Sequence, residues 1–225
     1  GRTARGGRRL MHPLKLDRLT RILLLGAHSD DVEIGCGGAL LTLLDAHPNV
    51  EVVWMTFSGG DGERRGETER SAPDYLAAAK SHDVRVFDFQ DGYFPWHGER
   101  IKDEIRACAQ DFRPDIVFTH TRDDRHQDHR LLSDLAWNHF RDQTILEYEI
   151  PKWDGDLGRP NAYVPLSAEV AGQKVALLME HFASQRGRDW FTDDLFLGLM
   201  RLRGVECRAP GGYAEAFHAR KFTLL

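Results

Sequence analysis

Two clusters of histidine and aspartate side chains are the part of this sequence best suited to chemistry. The first cluster, His28 to Asp31, comes directly after the apolar run from Ile22 to Leu25 and before a segment of glycine and apolar residues. The apolar run has the length of a buried strand, and the following segment has the pattern of a helix. An imidazole and a carboxylate three residues apart can converge on one zinc ion, which leaves Asp30 facing whatever the metal holds. The sequence therefore predicts a metal-binding loop between a strand and a helix.

The second cluster, Asp124 to His129, occupies an equivalent position further along the chain. It follows the apolar run from Ile116 to Phe118 and precedes a helix-like segment that begins near Leu131. Histidine and aspartate are common in surface loops, so either cluster alone is a weak signal. In an open α/β sheet, however, ligands bind at the carboxyl ends of the strands. Because both clusters follow strands, we expect them to meet at one edge of the sheet and to share a metal ion.

Strands and helices alternate along the chain at the spacing of βαβ units. Predicted strands cover 22–25, 50–57, 84–89, 115–119, 144–150 and 213–222, and predicted helices cover 34–44, 69–82, 101–112, 131–141 and 167–185. The apolar residues at 190–199 predict a further packing helix, and 151–165 predicts a loop that acts as a lid or a specificity wall. Right-handed crossovers between these elements predict an α/β fold, a Rossmann-like three-layer sandwich with a mostly parallel sheet.

The two clusters belong to a longer series of motifs that runs through most of the chain. In order, the motifs are His28-Ser29-Asp30-Asp31-Val32-Glu33, Gly35-Cys36-Gly37-Gly38, Asp91-Gly92, Asp124-x-His126-x-Asp128-His129 and Tyr213-Ala214-Glu215-Ala216-Phe217. In type and order they resemble the PIG-L/LmbE-like family of zinc-dependent N-deacetylases. One departure is visible, because the family usually has proline where this chain has Ser29. Serine can adopt the extended backbone that proline imposes, so we expect the same loop geometry with less rigidity.

The resemblance implies a catalytic metal centre. By that resemblance His28, Asp31 and His129 hold one Zn²⁺ and leave a fourth position open for water. The same two nitrogens and one oxygen also suit Fe²⁺ or Co²⁺. A metal held in this way lowers the pKa of its water to about 7 and polarises an amide carbonyl, which are the two requirements for hydrolysing an N-acetyl group.

The resemblance also assigns the proton transfers. Asp30 takes the family role of general base towards the water. His126, as imidazolium, is expected to stabilise the oxyanion and to protonate the leaving amine, with Asp128 holding its orientation and charge. Glu33 and Asp124 are candidates for orienting the ligands, although a carboxylate at a helix start or in a loop is equally often an ordinary one.

The substrate that the family implies is a small-molecule N-acylated amino sugar or glycoside. The charged, glycine-rich loop at 58–67 is expected at the same edge of the sheet, where Arg64 or Arg65 can grip a hydroxyl or an anionic group. A flexible surface loop explains the same residues equally well. The aromatic cluster at 93–97 can stack on a sugar face, or it can plug a loop with apolar side chains.

The composition limits the class of protein. The chain has 225 residues and a formal net charge of -5 with charges of both signs mixed, which argues against a nucleic-acid binder. Its three cysteines have no paired spacing, and no stretch approaches the roughly 18 apolar residues that cross a bilayer. We therefore expect one cytoplasmic deacetylase domain over 11–225 with no membrane anchor. A disordered basic arm or remnant upstream sequence is expected at 1–10, and the oligomeric state stays open, with a homo-oligomer as one outcome.

Two other functions fit the same residues. The chain can be a weak or inactive binding relative that keeps the fold without turnover, which Ser29 favours and the intact ligand and base positions oppose. It can also be a zinc amidohydrolase that acts on a non-acetyl amide. A dinucleotide site is not expected, because Gly35 to Gly38 does not match GxGxxG and the preceding acidic residues would repel a pyrophosphate.

Overall fold

The structure of the protein is a computed structural model that describes residues 14, 16, 18–60, 62–221 and 223. The basic arm predicted at 1–10 lies outside the described residues. Within the described ranges, no helix is both long and apolar enough to span a membrane.

The described part of the chain contains seven strands, six α-helices and a short 3-10 helix at Ala183–Gln185. The strands are β1 (Arg21–His28), β2 (Glu51–Ser58), β3 (Ser81–Val86), β4 (Ile116–His120), β5 (Thr144–Tyr148), β6 (Ala162–Leu166) and β7 (Tyr213–His218). The helices are α1 (Asp31–Ala46), α2 (Glu63–Tyr75), α3 (Phe94–Asp111), α4 (Gln127–His139), α5 (Ala168–His181) and α6 (Asp193–Glu206).

All seven strands form one sheet, in the order β3-β2-β1-β4-β5-β7-β6. In this order the first five strands, from β3 at the edge to β5, are parallel to one another. Strand β7 is antiparallel to both of its neighbours, β5 and β6. Helices α1, α2, α5 and α6 pack on one face of the sheet, and α3 and α4 pack on the other, each set over its own apolar core. The predicted α/β three-layer sandwich with a mostly parallel sheet is therefore confirmed.

Strand β1 shows why the sequence has a continuous apolar run at the centre of the sheet. Ile22 and Leu24 belong to one core, Leu23 and Leu25 belong to the other, and all four side chains are fully buried. Successive side chains of a strand point to opposite faces, and helices cover both faces here. A polar residue at any of these positions would therefore be buried without a partner.

The order of the strands reverses at β1, and this reversal locates the candidate site. Strands β2 and β3 lie on one side of β1, while β4 and β5 lie on the other. The loops that leave β1 and β4 must therefore diverge, since their helices cover opposite faces of the sheet. A crevice opens between such loops, and it is the usual ligand site of open α/β sheets.

Several predicted elements differ from those observed. Helix α2 begins and ends nearly two turns earlier than the predicted 69–82, and its start was missed because its charged first turn carries no apolar spacing. The aromatic cluster at 93–97 forms the first turn of α3 rather than a loop. The loop predicted at 151–165 ends in strand β6, where Pro165 is tolerated because β6 is the edge strand of the sheet.

A buried ion pair joins α5 to β7, and both of its side chains bond to the backbone of α1. The ammonium group of Lys174 lies 2.5 Å from Glu215 Oε1 and donates to the carbonyl of Ile34 at 2.6 Å. The two carboxylate oxygens of Glu215 accept from the amides of Gly38 and Ala39, at 2.9 and 2.6 Å. A Cβ at Gly38 would lie 2.7 Å from the side chain of Leu166, so this position needs glycine for the close approach. The close approach at Gly38 therefore packs α1 against β6 and β7. Helix α1 carries the first cluster at its start.

Candidate active site

The loop between β1 and α1 is a tight turn that places two side chains beside one another. Asp30 has a left-handed backbone with φ 96, a conformation that costs a non-glycine residue about 1–3 kcal/mol and that aspartate tolerates better than most. The turn allows Asp31 Oδ2 to accept from the amide of His28 at 2.6 Å and to lie 3.3 Å from His28 Nδ1. The first turn of α1 also places Asp31 at the positive end of the helix dipole, which favours its carboxylate form.

The second cluster lies at the start of α4. His126 is the N-cap residue, and His129 is in the first turn of the helix rather than in the loop that we expected. Asp124 Oδ1 accepts from the amide of His126 at 2.8 Å, and Asp124 Oδ2 lies 2.8 Å from His129 Nδ1. These contacts hold His126 and His129 on the side that faces β1.

Three atoms from the two clusters form a nearly equilateral triangle. His28 Nδ1 lies 3.2 Å from His129 Nε2 and 3.3 Å from Asp31 Oδ2, and the third side, from His129 Nε2 to Asp31 Oδ2, is 3.5 Å. Ligands of tetrahedral zinc at about 2.0–2.1 Å from the ion are separated by roughly 3.3 Å. The three predicted ligand atoms therefore fit one face of a zinc tetrahedron.

The opposite nitrogens of both histidines have carboxylate partners. His28 Nε2 lies 3.1 Å from Asp128 Oδ2 and 3.1 Å from Asp91 Oδ1, while His129 Nδ1 lies 2.8 Å from Asp124 Oδ2. A proton on each of these nitrogens leaves the lone pairs of His28 Nδ1 and His129 Nε2 directed at the centre of the triangle. Such carboxylate partners are what orient and polarise the histidine ligands of metals.

Electrostatics favour a cation at the same point. Burial and the neighbouring His120 lower the pKa of His129 to about 4, so this imidazole is neutral and able to bind a metal. Burial alone would raise the pKa of Asp31, but the adjacent His129 and His120 outweigh it and hold that pKa well below its ordinary value. Burial would lower the pKa of His28, yet its bonds to Asp128 and Asp31 raise it well above the ordinary value. The carboxylates of Asp31 and Asp128 thus favour positive charge at this point, and a bound dication can supply that charge.

Asp30 lies in the same turn with one oxygen free. Its side chain is buried, and Oδ2 has no hydrogen-bond partner among the described residues. Oδ1 lies 3.1 Å from Arg64 Nη2. Burial raises the pKa of Asp30 to about 7, and the guanidinium of Arg64 limits that rise. A carboxylate oxygen of this kind can accept a proton from a water molecule.

His126 stands against both candidate histidine ligands. Its ring centroid lies 4.9 Å from that of His28 and 4.7 Å from that of His129. His126 Nδ1 accepts from the amide of Asp128 at 3.3 Å, so the neutral ring carries its proton on Nε2. Burial and the nearby His28 lower the pKa of His126. The lowered pKa favours the neutral ring with an Nε2–H donor, and the imidazolium role that the resemblance implies stays a prediction.

The carboxylate of Asp128 contacts a different histidine from the one that we expected. Sequence reasoning assigned Asp128 to the orientation of His126, but its side chain bonds to His28 and accepts from the amides of Gly92 and Phe94, at 2.7 and 3.1 Å. The backbone of Asp128, rather than its side chain, contacts His126. The Asp91-Gly92 turn is therefore tied to the candidate metal ligands through Asp128.

His120 is part of the site and was missed by sequence reasoning. It is fully buried at the end of β4, its ring stacks on that of His129 with centroids 3.8 Å apart, and its Nε2 lies 3.3 Å from Asp31 Oδ2. The amide of Ala27 donates to His120 Nε2 at 3.0 Å, so the lone pair of that nitrogen is occupied. His120 therefore lies behind His129, on which its ring stacks, and has no proton on Nε2 to donate to Asp31. The sequence feature that could have identified His120 is its position as the last residue of an apolar strand.

The two arginines predicted to bind substrate have different surroundings. Arg64 Nη2 donates to the carbonyl of Ser29 in addition to its contact with Asp30, and Nη1 lies 3.0 Å from Glu67 Oε2. Arg65 instead donates to backbone carbonyls, those of Gly60 and Val86, at 2.7 and 2.6 Å. Arg64 thus lies at the candidate base, whereas Arg65 fastens its own loop, and substrate binding by either one stays a prediction.

Comparison with known proteins agrees with this geometry. Residues 23–140 match the model of the PIG-L family, described as GlcNAc-PI de-N-acetylase, and this match covers both clusters. The uncharacterized deacetylase YaiS of Escherichia coli strain K12 is 30% identical over 170 residues, which are 71% of this chain and 89% of YaiS. The chain belongs to the PIG-L family. The resemblance inferred from the motifs is therefore confirmed.

Solved structures show how widely the fold of the PIG-L family is used. The N,N'-diacetylchitobiose deacetylase of Pyrococcus horikoshii superposes with a TM-score of 0.67 and 21% identity, over 89% of this chain and 83% of that one. The 4-carboxy-2-hydroxymuconate hydratase GalB of Pseudomonas putida KT2440 superposes with a TM-score of 0.71 and 18% identity, over 92% and 98%. A deacetylase and a hydratase thus share this fold, so the reaction must be argued from the site.

Proposed function

We propose that this member of the PIG-L family is a metal-dependent hydrolase that removes an N-acyl group, foremost acetyl, from an amino sugar or glycoside. The observation that supports this proposal is the triangle of His28 Nδ1, Asp31 Oδ2 and His129 Nε2, with sides of 3.2, 3.3 and 3.5 Å. The unpartnered oxygen of Asp30 lies in the same turn as His28 and Asp31. Three ligands and one base are the parts that metal-assisted amide hydrolysis requires.

The proposed metal is zinc, held by His28, Asp31 and His129. Two imidazole nitrogens and one carboxylate oxygen are a common ligand set of catalytic zinc, and Fe²⁺ or Co²⁺ suits the same atoms. When bound, the metal supplies Lewis acidity, which acidifies a water molecule and polarises the amide carbonyl.

The side chains around the metal have separate roles in the proposed reaction. Asp30 accepts the proton of the attacking water through Oδ2 and returns it to the nitrogen of the leaving amine. His126 donates its Nε2–H to the oxygen on which negative charge develops. His120 stacks on His129, and Asp128 bonds to His28, so that these two ligands keep their orientation.

The proposed substrate class rests on the family and on the charge of the site. The family description names an N-acetylglucosaminyl lipid, and the Pyrococcus horikoshii relative is named for diacetylchitobiose. The carboxylates of Asp30, Asp31, Asp91 and Asp128 gather at one point, which opposes a substrate with a negative charge at the reacting group. A neutral N-acetylated sugar satisfies both conditions.

The test is a screen of metal-loaded protein for release of acetate and of free amine from N-acetylated amino sugars and their glycosides. We expect turnover that disappears in Asp30→Asn, which keeps the size and backbone preference of the side chain. Release of a longer acyl group without release of acetate would replace this proposal by an amidohydrolase for other acyl groups. Binding of the sugars by metal-loaded protein without turnover would replace it by a binding function.

A further inference from the structure

The exposed aromatic rings of the described residues are confined to the edge of the sheet that carries the candidate site. These rings are Tyr93, Trp96 and Trp153, which keep 49%, 74% and 65% of their surface exposed. Tyr93 and Trp96 come at the start of α3, after β3, and Trp153 comes after β5, so all three follow carboxyl ends of parallel strands. Scattered exposed apolar residues need no explanation, but confinement to a single edge does.

Tyr93 and Trp96 form the first aromatic platform. Their ring centroids are 5.6 Å apart. The platform is attached to the candidate site by the preceding turn, since Gly92 donates to Asp128 and Asp91 Oδ1 lies 3.1 Å from His28 Nε2. Tyr93 and Trp96 are one and two residues from Phe94, whose ring centroid lies 5.8 Å from that of the proposed metal ligand His28.

Trp153 forms the second aromatic platform. Its indole N–H donates to Asp189 Oδ1 at 2.8 Å, and its ring packs edge-on against Trp190 with centroids 5.9 Å apart. The preceding residue, Lys152, lies 2.9 Å from Asp124 Oδ1, and Asp124 bonds to His129. The second platform is therefore also attached to a proposed metal ligand.

The loop that carries Trp153 is fastened at both ends. Besides the Lys152 contact at one end, the amide of Gly158 donates to Glu149 Oε1 at 3.0 Å, and Arg203 lies 2.8 Å from the same oxygen. Of the two roles predicted for this loop, lid and specificity wall, the anchors favour the wall. A ring that is held in place loses little conformational entropy when a ligand stacks on it.

The two faces of the sheet put the two platforms on opposite sides of the candidate metal site. The metal ligands leave β1 and β4, which are neighbours at the centre of the sheet. Tyr93 and Trp96 lie beside Phe94, which belongs to the core that α3 and α4 cover, whereas Trp153 packs against Trp190, which lies against the core on the other face. A ligand that touches both platforms must therefore extend across the site.

We propose that the two platforms bind sugar rings on either side of the ring that is deacetylated, so that the substrate is a neutral oligosaccharide of N-acylated amino sugars. This inference rests on the proposed function and narrows its substrate class. Aromatic rings offer an apolar face that suits the C–H face of a pyranose, and Trp and Tyr combine that face with a polar edge. The exposed carboxylates of Asp91 and Asp154, near the two platforms, disfavour an anionic chain.

The experiment compares chito-oligosaccharides of one to five rings as ligands and substrates. Trp96→Ala and Trp153→Ala are set against Leu202→Ala, which removes an exposed apolar side chain on α6, away from the site. Binding is measured by calorimetry on metal-loaded protein that also carries Asp30→Asn, and turnover is measured on the active protein. We expect affinity to rise with chain length, and each tryptophan variant to lose about 2- to 10-fold in affinity and in kcat/KM for the pentamer but not for the monomer.

The outcomes separate this inference from the proposed function. Equal kinetics for monomer and pentamer, with tryptophan variants that behave like Leu202→Ala, would overturn the inference and leave deacetylation standing. A loss in one tryptophan variant alone would overturn binding on both sides. Length-dependent binding that both tryptophan variants weaken, without release of acetate, would uphold the platforms and overturn the proposed function. A change of oligomeric state in these variants, with oligosaccharide binding intact, would make the rings a protein interface and overturn the inference.

Discussion

Arg64 Nη2 lies 3.1 Å from Asp30 Oδ1 and also donates to the carbonyl of Ser29, so one guanidinium holds both sides of a left-handed turn. Its other terminal nitrogen bonds to the buried Glu67, which in turn accepts from the amide and hydroxyl of Ser184. Arg64 therefore connects the candidate base to α2 and to the segment after α5. This relationship makes Arg64 a positioning residue for the base.

Replacement of Arg64 should affect the protein more than replacement of Arg65. Arg64→Met leaves the buried carboxylates of Asp30 and Glu67 without their cation, so we expect a loss of about 1–3 kcal/mol in the free energy of unfolding and a fall in kcat. Arg64→Lys should restore the charge but not the two-sided contact, and should remain impaired. Denaturation and steady-state kinetics measure both effects, with Arg65→Met as the matched control. A larger effect on KM in Arg65→Met than in Arg64→Met would favour direct substrate binding by Arg65.

Asp30→Asn should keep the metal and lose turnover. Asparagine tolerates a left-handed backbone about as well as aspartate does, so the turn survives while the proton acceptor is removed. We expect kcat to fall about 10²- to 10⁴-fold with one metal still bound, measured by kinetics and elemental analysis of the same sample. Asp30→Ala, which lacks this backbone preference, should also lower the melting temperature. Retention of near-normal kcat in the asparagine variant would remove Asp30 from the mechanism.

The chain should bind about one divalent metal ion through the three-atom triangle. His129→Ala removes one vertex and should abolish stoichiometric binding, whereas His82→Ala, which changes an exposed histidine on β3, should not. Removal of the metal by a chelator should also lower the free energy of unfolding, by about 2.7 kcal/mol where the free metal had been at 100 times its Kd. Elemental analysis and thermal denaturation test this. Full metal content in His129→Ala would overturn the ligand assignment.

The buried pair of Lys174 and Glu215 should be sensitive to the loss of one partner. Lys174→Met leaves a buried carboxylate without its cation, so we expect a loss of about 3–5 kcal/mol in the free energy of unfolding. Lys80→Met is the matched control, because Lys80 lies at 2.7 Å from Glu51 but its side chain is 56% exposed, and it should cost less than about 1 kcal/mol. Chemical denaturation distinguishes the two variants. Equal losses would show that burial does not set the strength of the Lys174 pair.

His218 should make the native state less stable in acid. Burial and the nearby Arg220 and Arg203 lower its pKa, against the opposite effect of Glu147 and Asp123. Below the ordinary histidine pKa of about 6.5, the unfolded chain then binds more protons than the native state, so stability falls as the pH drops through that value. His218→Asn should lose less stability than the parent protein between pH 8 and pH 5.5 in denaturation experiments. An identical loss in both would assign the acid sensitivity to other groups.

Much of the fold could be predicted because the central strands are buried on both faces. Runs such as Ile22 to Leu25 have no polar interruption, and their alternation with helices leaves few possible topologies. Strand β6 could not be predicted in the same way. Its residues are mostly half-buried and include Pro165, and it is held in the sheet only by its pairing with β7, which lies about fifty residues further along the chain.

The site could be predicted as two clusters but not as a network. Sequence spacing located the two clusters because each follows a strand. The choice of His28, Asp31 and His129 as ligands came from the family resemblance and stays a prediction. Spacing could not show that Asp128 contacts His28, since that contact depends on the turn at Gly92, where φ is +81. It also missed His120, because a histidine that ends an apolar strand looks like part of that strand.

The contact between Gly38 and Glu215 joins positions that are 177 residues apart. The amides of α1 that Glu215 accepts from therefore find their partner only after the last strand has left the ribosome. Contacts of such long range form late in folding, since the entropy of closing the loop must be overcome first. The loop that begins α1, with its candidate metal ligands, should thus gain its final shape only after β7 has been synthesised. We expect the nascent chain to bind the proposed metal only after β7 has emerged from the ribosome.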